Sequence, residues 1–237
     1  RSPGNPLKAT HGKPKVVSEL GGTALRLDGK SWLDAGDVGG FGFFDKFSFG
    51  VWIKPDTKDA GAILSRMVDT ERADGYSLSL IDGKLHVQLV KRWLDDAIRV
   101  ETVEPFQPGN WHHEFVTYDG SREAKGIKVY RNGSLARLKV NLDDLNQNFM
   151  TAEPFRIGAA GGSRFRGVVS GARIYNDVIA PEDVAVIAGS SPWGISVSGI
   201  LSMPPERRSE VQRRVVRLYY LEHAGPPELR KAYADLL

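Results

Sequence analysis

The sequence contains no cysteine. That absence excludes a disulfide framework, thiolate zinc sites, iron–sulfur clusters and cysteine nucleophiles. It leaves the compartment open, because a chain of 237 residues can bury a core that needs no staples. Long apolar runs are absent too. No stretch approaches the roughly 18 residues a membrane span needs, and residues 1–20 lack the apolar centre of a signal peptide. The chain as given reads as soluble and untargeted. An excess of one charge is missing from its body. The net charge is +3, but residues 1–19 hold four Lys/Arg against one Glu, residues 204–237 hold seven against five acids, and residues 20–203 hold 21 basic against 23 acidic residues. A phosphate-binding body would gather Lys and Arg on one face, so no nucleic-acid partner is expected.

What is present is an ordinary globular composition, 41% hydrophobic and 26% charged, broken into short alternating runs. Such runs cover residues 24–28, 47–54, 62–67, 76–81, 84–90, 98–103, 111–118, 127–131, 134–140, 155–158 and 164–175. Many short strands between Gly, Asp and Asn punctuation predict an antiparallel all-β sandwich or barrel. Asp82-Gly83 and Asn132-Gly133 each lie between two such runs and predict two-residue hairpins, since both central residues of a type I′ turn need positive φ. Asn132-Gly133-Ser134 also matches a glycosylation acceptor, but the hairpin explains it fully. Residues 1–19, with Pro3, Pro6 and Pro14, read as a linker or an extended edge segment.

Helical periodicity arrives late. Ala180 to Ala188 predicts a short helix capping the sandwich, with Pro181 in its first turn and acids at its positive end. A loop over 189–203 leads to a second helix over Pro205 to His223, then a third over Glu228 to Leu237, forming an extension over 204–237. The last helix ends in an apolar stripe, Leu229, Ala232, Tyr233 and Leu236. Two readings stand open: a link to a following domain, or a segment folding back on the sandwich.

Catalytic patterns are missing. No G-x-S-x-G elbow, P-loop, H-E-x-x-H or dinucleotide fingerprint occurs. Gly158 to Ser163 is glycine-rich but lies between strands, so it reads as a loop. A glycosidase on a sandwich needs two carboxylates facing one cleft. Glu101 and Glu104 alternate to opposite faces, whereas Asp95-Asp96 and Asp143-Asp144 fall in loops. No catalytic residue is assigned. His113 should pack with Trp111 and Phe115 and find a hydrogen-bond partner, while His112 and Glu114, two apart, make too small a set for a metal. Asp28, Asp34 and Asp37 share one connection and suit a hard cation. Local turn chemistry explains them more simply, so a structural calcium is disfavoured and no metal ligand or firm cofactor is assigned.

Of the five Trp, Trp52 and Trp111 sit in alternating runs and are expected in the core. Trp32, Trp93 and Trp193 fall in connections. Trp93, within Lys91-Arg92-Trp93-Leu94-Asp95-Asp96, offers a flat apolar face among polar residues of both signs. Arg92, Trp93 and Asp95 are the candidate ligand contacts.

The order of landmarks is also informative: Leu25–Gly29, Phe47–Pro55, Ile63–Arg66, Gly75–Leu78, Asp82–Leu85, Trp111–His113 leading to Thr117–Gly120, Val129–Gly133, Phe155–Gly158 and Phe165–Gly167 through Ala172–Asn176. Together they resemble the laminin-G-like branch of the concanavalin-A-like lectin/glucanase superfamily over residues 20–188. The resemblance implies a jelly-roll sandwich of two antiparallel sheets, binding a glycan or a neighbouring protein domain, sometimes through calcium. Val169-Ser170-Gly171 stands where relatives often carry acids, which speaks against calcium. The tail from Pro204 to Tyr233 is similar to the segment after the laminin-G-like insert of large planctomycete surface proteins. That implies a multi-domain parent and an extracellular, cell-surface or periplasmic setting. The expectation is a noncatalytic carbohydrate-recognition module. Its rival is a protein-docking or spacer module, with a glycoside hydrolase the remote alternative.

Overall fold

The computed structural model describes residues 9–19, 22–189, 201, 204–208, 213, 216–217 and 220–234. Two antiparallel sheets dominate. The eight-stranded sheet runs β1 (Ala9–His11), β4 (Trp32–Asp34), β14 (Arg156–Ile157), β6 (Gly61–Met67), β7 (Gly75–Ile81), β8 (Lys84–Arg92), β9 (Asp96–Thr102), β13 (Leu138–Asp144). The seven-stranded sheet runs β12 (Ser134–Leu135), β11 (Ile127–Arg131), β10 (His112–Tyr118), β5 (Phe47–Pro55), β17 (Arg166–Tyr175), β3 (Gly22–Asp28), β2 (Lys15–Glu19). This is the two-sheet antiparallel jelly-roll sandwich expected from the sequence. The strands β1 and β2 lie at opposite sheets' edges, so part of the N-terminal segment is paired structure.

Alternation builds the core. Phe47, Phe49, Val51 and Ile53 of β5 face Tyr76, Leu78 and Leu80 of β7 and Leu85, Val87 and Leu89 of β8, all essentially buried. Each such side chain contributes about 1.5–3 kcal/mol of burial. The two hairpins form as expected: Asp82 and Gly83 have φ of 48° and 74°, Asn132 and Gly133 of 52° and 82°. At Gly133 a side chain would also collide, because a Cβ would sit 3.0 Å from Ala185 Cα. Ala185 belongs to α1 (Pro181–Ala188), which seats Val184 on Phe115 and Tyr130 outside the seven-stranded sheet.

Several expectations need correction. Trp52 is not in the core: its neighbours Val51 and Ile53 point inward, so period-two geometry turns it outward, 5.2 Å from the His113 ring. Trp111 precedes β10 and is half-buried, its Nε1 donating to Glu19 at 3.0 Å. Residues 29–46 are not pure connection, since they include β4. The glycine-rich loop is itself a hairpin, β15 (Ala159–Ala160) and β16 (Ser163–Arg164), because Gly161 and Gly162 adopt φ of 53° and 78° at its turn. At the C-terminal end, Pro205–Arg207 is a single 3-10 turn and α2 (Pro227–Ala234) follows a π-helical turn at Tyr220–Ala224. Most of the expected second helix, and Trp193, Leu236 and the side chain of Tyr233, lie outside the described residues.

Candidate ligand-binding groove

The outer face of the eight-stranded sheet carries what its inner face excludes. With Leu78, Val87 and Ile98 inward, Ser77 of β7, Gln88 of β8 and Arg99 of β9 point outward. The register sets them side by side, Ser77 opposite Gln88 and Gln88 opposite Arg99, forming one polar row across three strands. Ser77 Oγ donates to Gln88 Oε1 at 3.5 Å.

Two hairpins wall this row. The hairpin β15–β16 lies on β6, where Ser65 Oγ donates to the Ala159 carbonyl at 2.6 Å and Ala160 packs with Ala62 and Met67. Its tip is tied down by Asp69, which accepts from Gly162 N at 3.0 Å and from both terminal nitrogens of Arg164 at 3.0 and 2.6 Å. Opposite stands the β8–β9 turn, where a register shift between Val90 and Arg92 precedes Trp93. Between the walls lies a depression of about 240 Å³ lined by Met67, Arg72, Ser77, Ser79, Gln88, Trp93 and Gly161, among others.

Positive charge gathers around the indole. The guanidinium carbon of Arg99 lies 4.2 Å from the Trp93 ring centroid and that of Arg72 lies 5.7 Å away. Among the described residues, Arg72 pairs with its exposed neighbour Glu71 at 3.3 Å and with no other carboxylate. Arg99 has no carboxylate partner among the described residues, and its Nε is buried without an acceptor. Burial, then the charge of Arg72, lowers the Arg99 pKa, although a guanidinium stays cationic at neutral pH.

Farther along this face, Asn141, then Lys84, hold the Glu101 carboxyl down to about 2, with Asn141 Nδ2 at 2.8 Å and Lys84 Nζ at 2.9 Å. Such a group has no proton to give at neutral pH. Glu71 is the sole carboxylate among the described residues lining the depression. The two-carboxylate geometry of glycoside hydrolysis is thus not built there.

The three sequence candidates separate. Trp93 lines the depression. Arg92 and Asp95 pair with each other at the hairpin end, Nε to Oδ1 3.0 Å, both exposed. The sequence reading passed over Arg72, Arg99, Gln88 and the Gly161 hairpin. Alternation along β8 and β9 marks Gln88 and Arg99 as outward, but nothing local joins them to residue 72 or 161.

The remaining candidates are spoken for. Asp28 accepts from Lys30 N, Ser31 N and Ser31 Oγ, Asp34 from Gly36 N, and Asp37 pairs with Arg66 at 2.8 Å. Asp28 and Asp34 thus serve their own turns, and Asp37 serves the Arg66 guanidinium. His113 is 1% exposed, and its Nδ1 lacks the expected partner; burial, then Arg173, pushes it down to about 4. Glu114 turns the other way, fully buried beside Arg131 at 3.2 Å; burial raises it to about 8 because the guanidinium offsets only part of the desolvation. His112 packs tilted against Phe106, ring centroids 4.1 Å apart.

The family model of the concanavalin A-like lectin/glucanases superfamily, of laminin-G type, matches residues 27–185. The chain belongs to this superfamily. No curated protein matches it. Among solved structures of the superfamily fold, it is similar to domain 4 of AbnA, a GH43 extracellular arabinanase from Geobacillus stearothermophilus, in complex with arabinotriose. That match has 19% identity and a TM-score of 0.55, covering 75% of this chain and 82% of that one. It is also similar to the CBM40 of the Ruminococcus gnavus IT-sialidase bound to α2,3-sialyllactose, at 14% identity and TM-score 0.55, over 70% and 96%. The binding domain of Paraclostridial Mosquitocidal Protein 1 matches at 16% identity and TM-score 0.52, over 76% and 48%. At these identities the likeness concerns the fold. No helix among the described residues is long and apolar enough to cross a membrane.

Proposed function

We propose that this protein is a noncatalytic carbohydrate-recognition module and that the groove beneath Trp93 is its binding site. The carrying observation is the half-buried indole held beside the half-buried Gln88 amide, with the Ser77 and Ser79 hydroxyls at the floor of the depression. A sugar ring presents an apolar face and a rim of hydroxyls, and such a surface matches both. Arg92 and Asp95 brace the turn that presents Trp93 and lie close enough in sequence to touch a longer glycan. Two proteins of this fold are described in complex with arabinotriose and with sialyllactose. A shared fold does not transfer a ligand, so the reading rests on the groove.

The sandwich of residues 20–188 is proposed to act within a larger exported protein, with residues 1–19 as a linker or edge segment and 204–237 as a link to a following domain. A docking or spacer role for the C-terminal segment is the second reading. It is favoured by exposed apolar groups there, Leu201, Tyr220 and Leu229.

Affinity electrophoresis against a panel of neutral and acidic polysaccharides tests the first reading. Retardation by at least one polymer, weakened about tenfold by Trp93→Ala (about 1.4 kcal/mol), is expected. No retardation across the panel, or retardation untouched by Trp93→Ala, overturns it.

A further inference from the structure

Resting on that reading, we propose that the glycan held in this groove is acidic, its oxyanion taken by Arg99 and Arg72 beside the Trp93 ring. Three observations converge. First, two guanidiniums lie close to one indole, their carbons 4.2 and 5.7 Å from its ring centroid. Like charges brought together on one surface repel, and each depresses the ease of holding the other. Second, the protein supplies no counter-charge for the inner one. Arg99 makes no ion pair and no hydrogen bond to an acceptor among the described residues, although the fold pairs comparable cations elsewhere: Arg164 with Asp69, Arg131 with Glu114, Arg156 with Glu153. Third, Arg99 is placed by the register and not by chance exposure. It stands next to Gln88 in the row Ser77, Gln88, Arg99, so a ligand lying across the strands meets the half-buried amide and the cation side by side, with the Ser77 hydroxyl buried beneath Gln88.

The chemistry favours a sugar over a peptide acid. A guanidinium fork suits the planar carboxylate of a uronic or sialic acid and also the oxygens of a sulfate ester. The indole beside it takes the apolar face of a pyranose, and the Gln88 amide takes its hydroxyls. A bare anionic peptide would use the cations and leave the rest of the row idle. The carboxylate or sulfate source is separated by the choice of polymer.

The test uses the whole chain and four probes: polygalacturonate, dextran sulfate, neutral arabinan and poly-glutamate, titrated calorimetrically at low and at physiological salt. The expected result is at least tenfold tighter binding of one acidic polysaccharide than of arabinan or poly-glutamate. Arg99→Gln should lose at least tenfold toward that polymer and less than threefold toward arabinan. Arg72→Gln, at an exposed position whose loss threatens folding least, should lose in the same direction. Preference for polygalacturonate or for dextran sulfate supports the proposal and names the oxyanion. Equal affinity for arabinan and the acidic polymers, or acidic binding unmoved by both Arg variants, overturns it while leaving carbohydrate recognition intact. Poly-glutamate bound as tightly as the polysaccharides also overturns it. No binding to any polysaccharide overturns both this inference and the proposed function.

Discussion

Arg99 lies with its guanidinium carbon 4.2 Å from the centroid of Trp93, joining an outward residue of β9 to the turn that enters that strand. The contact couples the β8–β9 turn to its scaffold. A double-mutant cycle of Trp93→Ala and Arg99→Gln, read by thermal or denaturant unfolding, should show a coupling of about 0.5–2 kcal/mol. Purely additive single effects would mean that Arg99 does not hold the ring.

The far wall of the groove depends on a glycine. Gly61 has φ of 88°, and a Cβ there would fall 2.2 Å from the Arg164 carbonyl oxygen. Gly61→Ala must displace β16 or β6, at a cost of about 2 kcal/mol or more. Chemical denaturation should show the loss, and glycan affinity should fall with it, since the β15–β16 wall moves. An unchanged midpoint would contradict the placement of that hairpin.

Glu114 makes stability depend on pH from the alkaline side. Its carboxyl is raised from 4.5 to about 8 by burial, despite Arg131. Between those values the unfolded chain has released a proton that the folded chain keeps, so stability is full below about 4.5 and falls as pH rises toward 8. Melting of the wild type at pH 5 and pH 8 should show the later midpoint at pH 5. Glu114→Gln should flatten that difference; an equal slope in both proteins would assign the effect to another group.

His113 works in the opposite sense. Packed against Trp52 and Phe115 and facing the charge of Arg173, it is lowered from 6.5 to about 4. Acidification through that window protonates the unfolded histidine first, so its contribution is present above 6.5 and lost as pH falls to 4. His113→Leu should therefore lose less stability than the wild type between pH 6.5 and 4.5, measured by urea midpoints. If acid weakens both equally, the ring is not the sensor.

Calcium removal should leave the midpoint unchanged. Asp28, Asp34 and Asp37 are engaged by Ser31, Gly36 and Arg66, and a ligand bound only to the folded state would raise the melting temperature. A chelator-induced drop in melting would require ligands outside this loop.

The sequence by itself determined most of the strands, the two hairpins at Asp82-Gly83 and Asn132-Gly133, and the capping helix. Each follows from short-range physics: period-two alternation, positive φ at turn glycines and asparagines, and proline at a helix start. The same rules marked Trp93 as an aromatic in an exposed turn. They misjudged Trp52, whose neighbours Val51 and Ile53 had already claimed the inward side, and they read Gly158 to Ser163 as slack where Gly161-Gly162 closes a hairpin. Only the tertiary structure decided the groove. Arg72, Gln88, Arg99 and Gly161 meet because β6, β7, β8 and β9 pair in one register and because β15–β16 folds back over β6, contacts that span up to 95 residues between Asp69 and Arg164. Strand pairing sets such neighbours by long-range hydrogen bonding and core packing, and a local pattern carries no record of which outward residue a distant loop will cover.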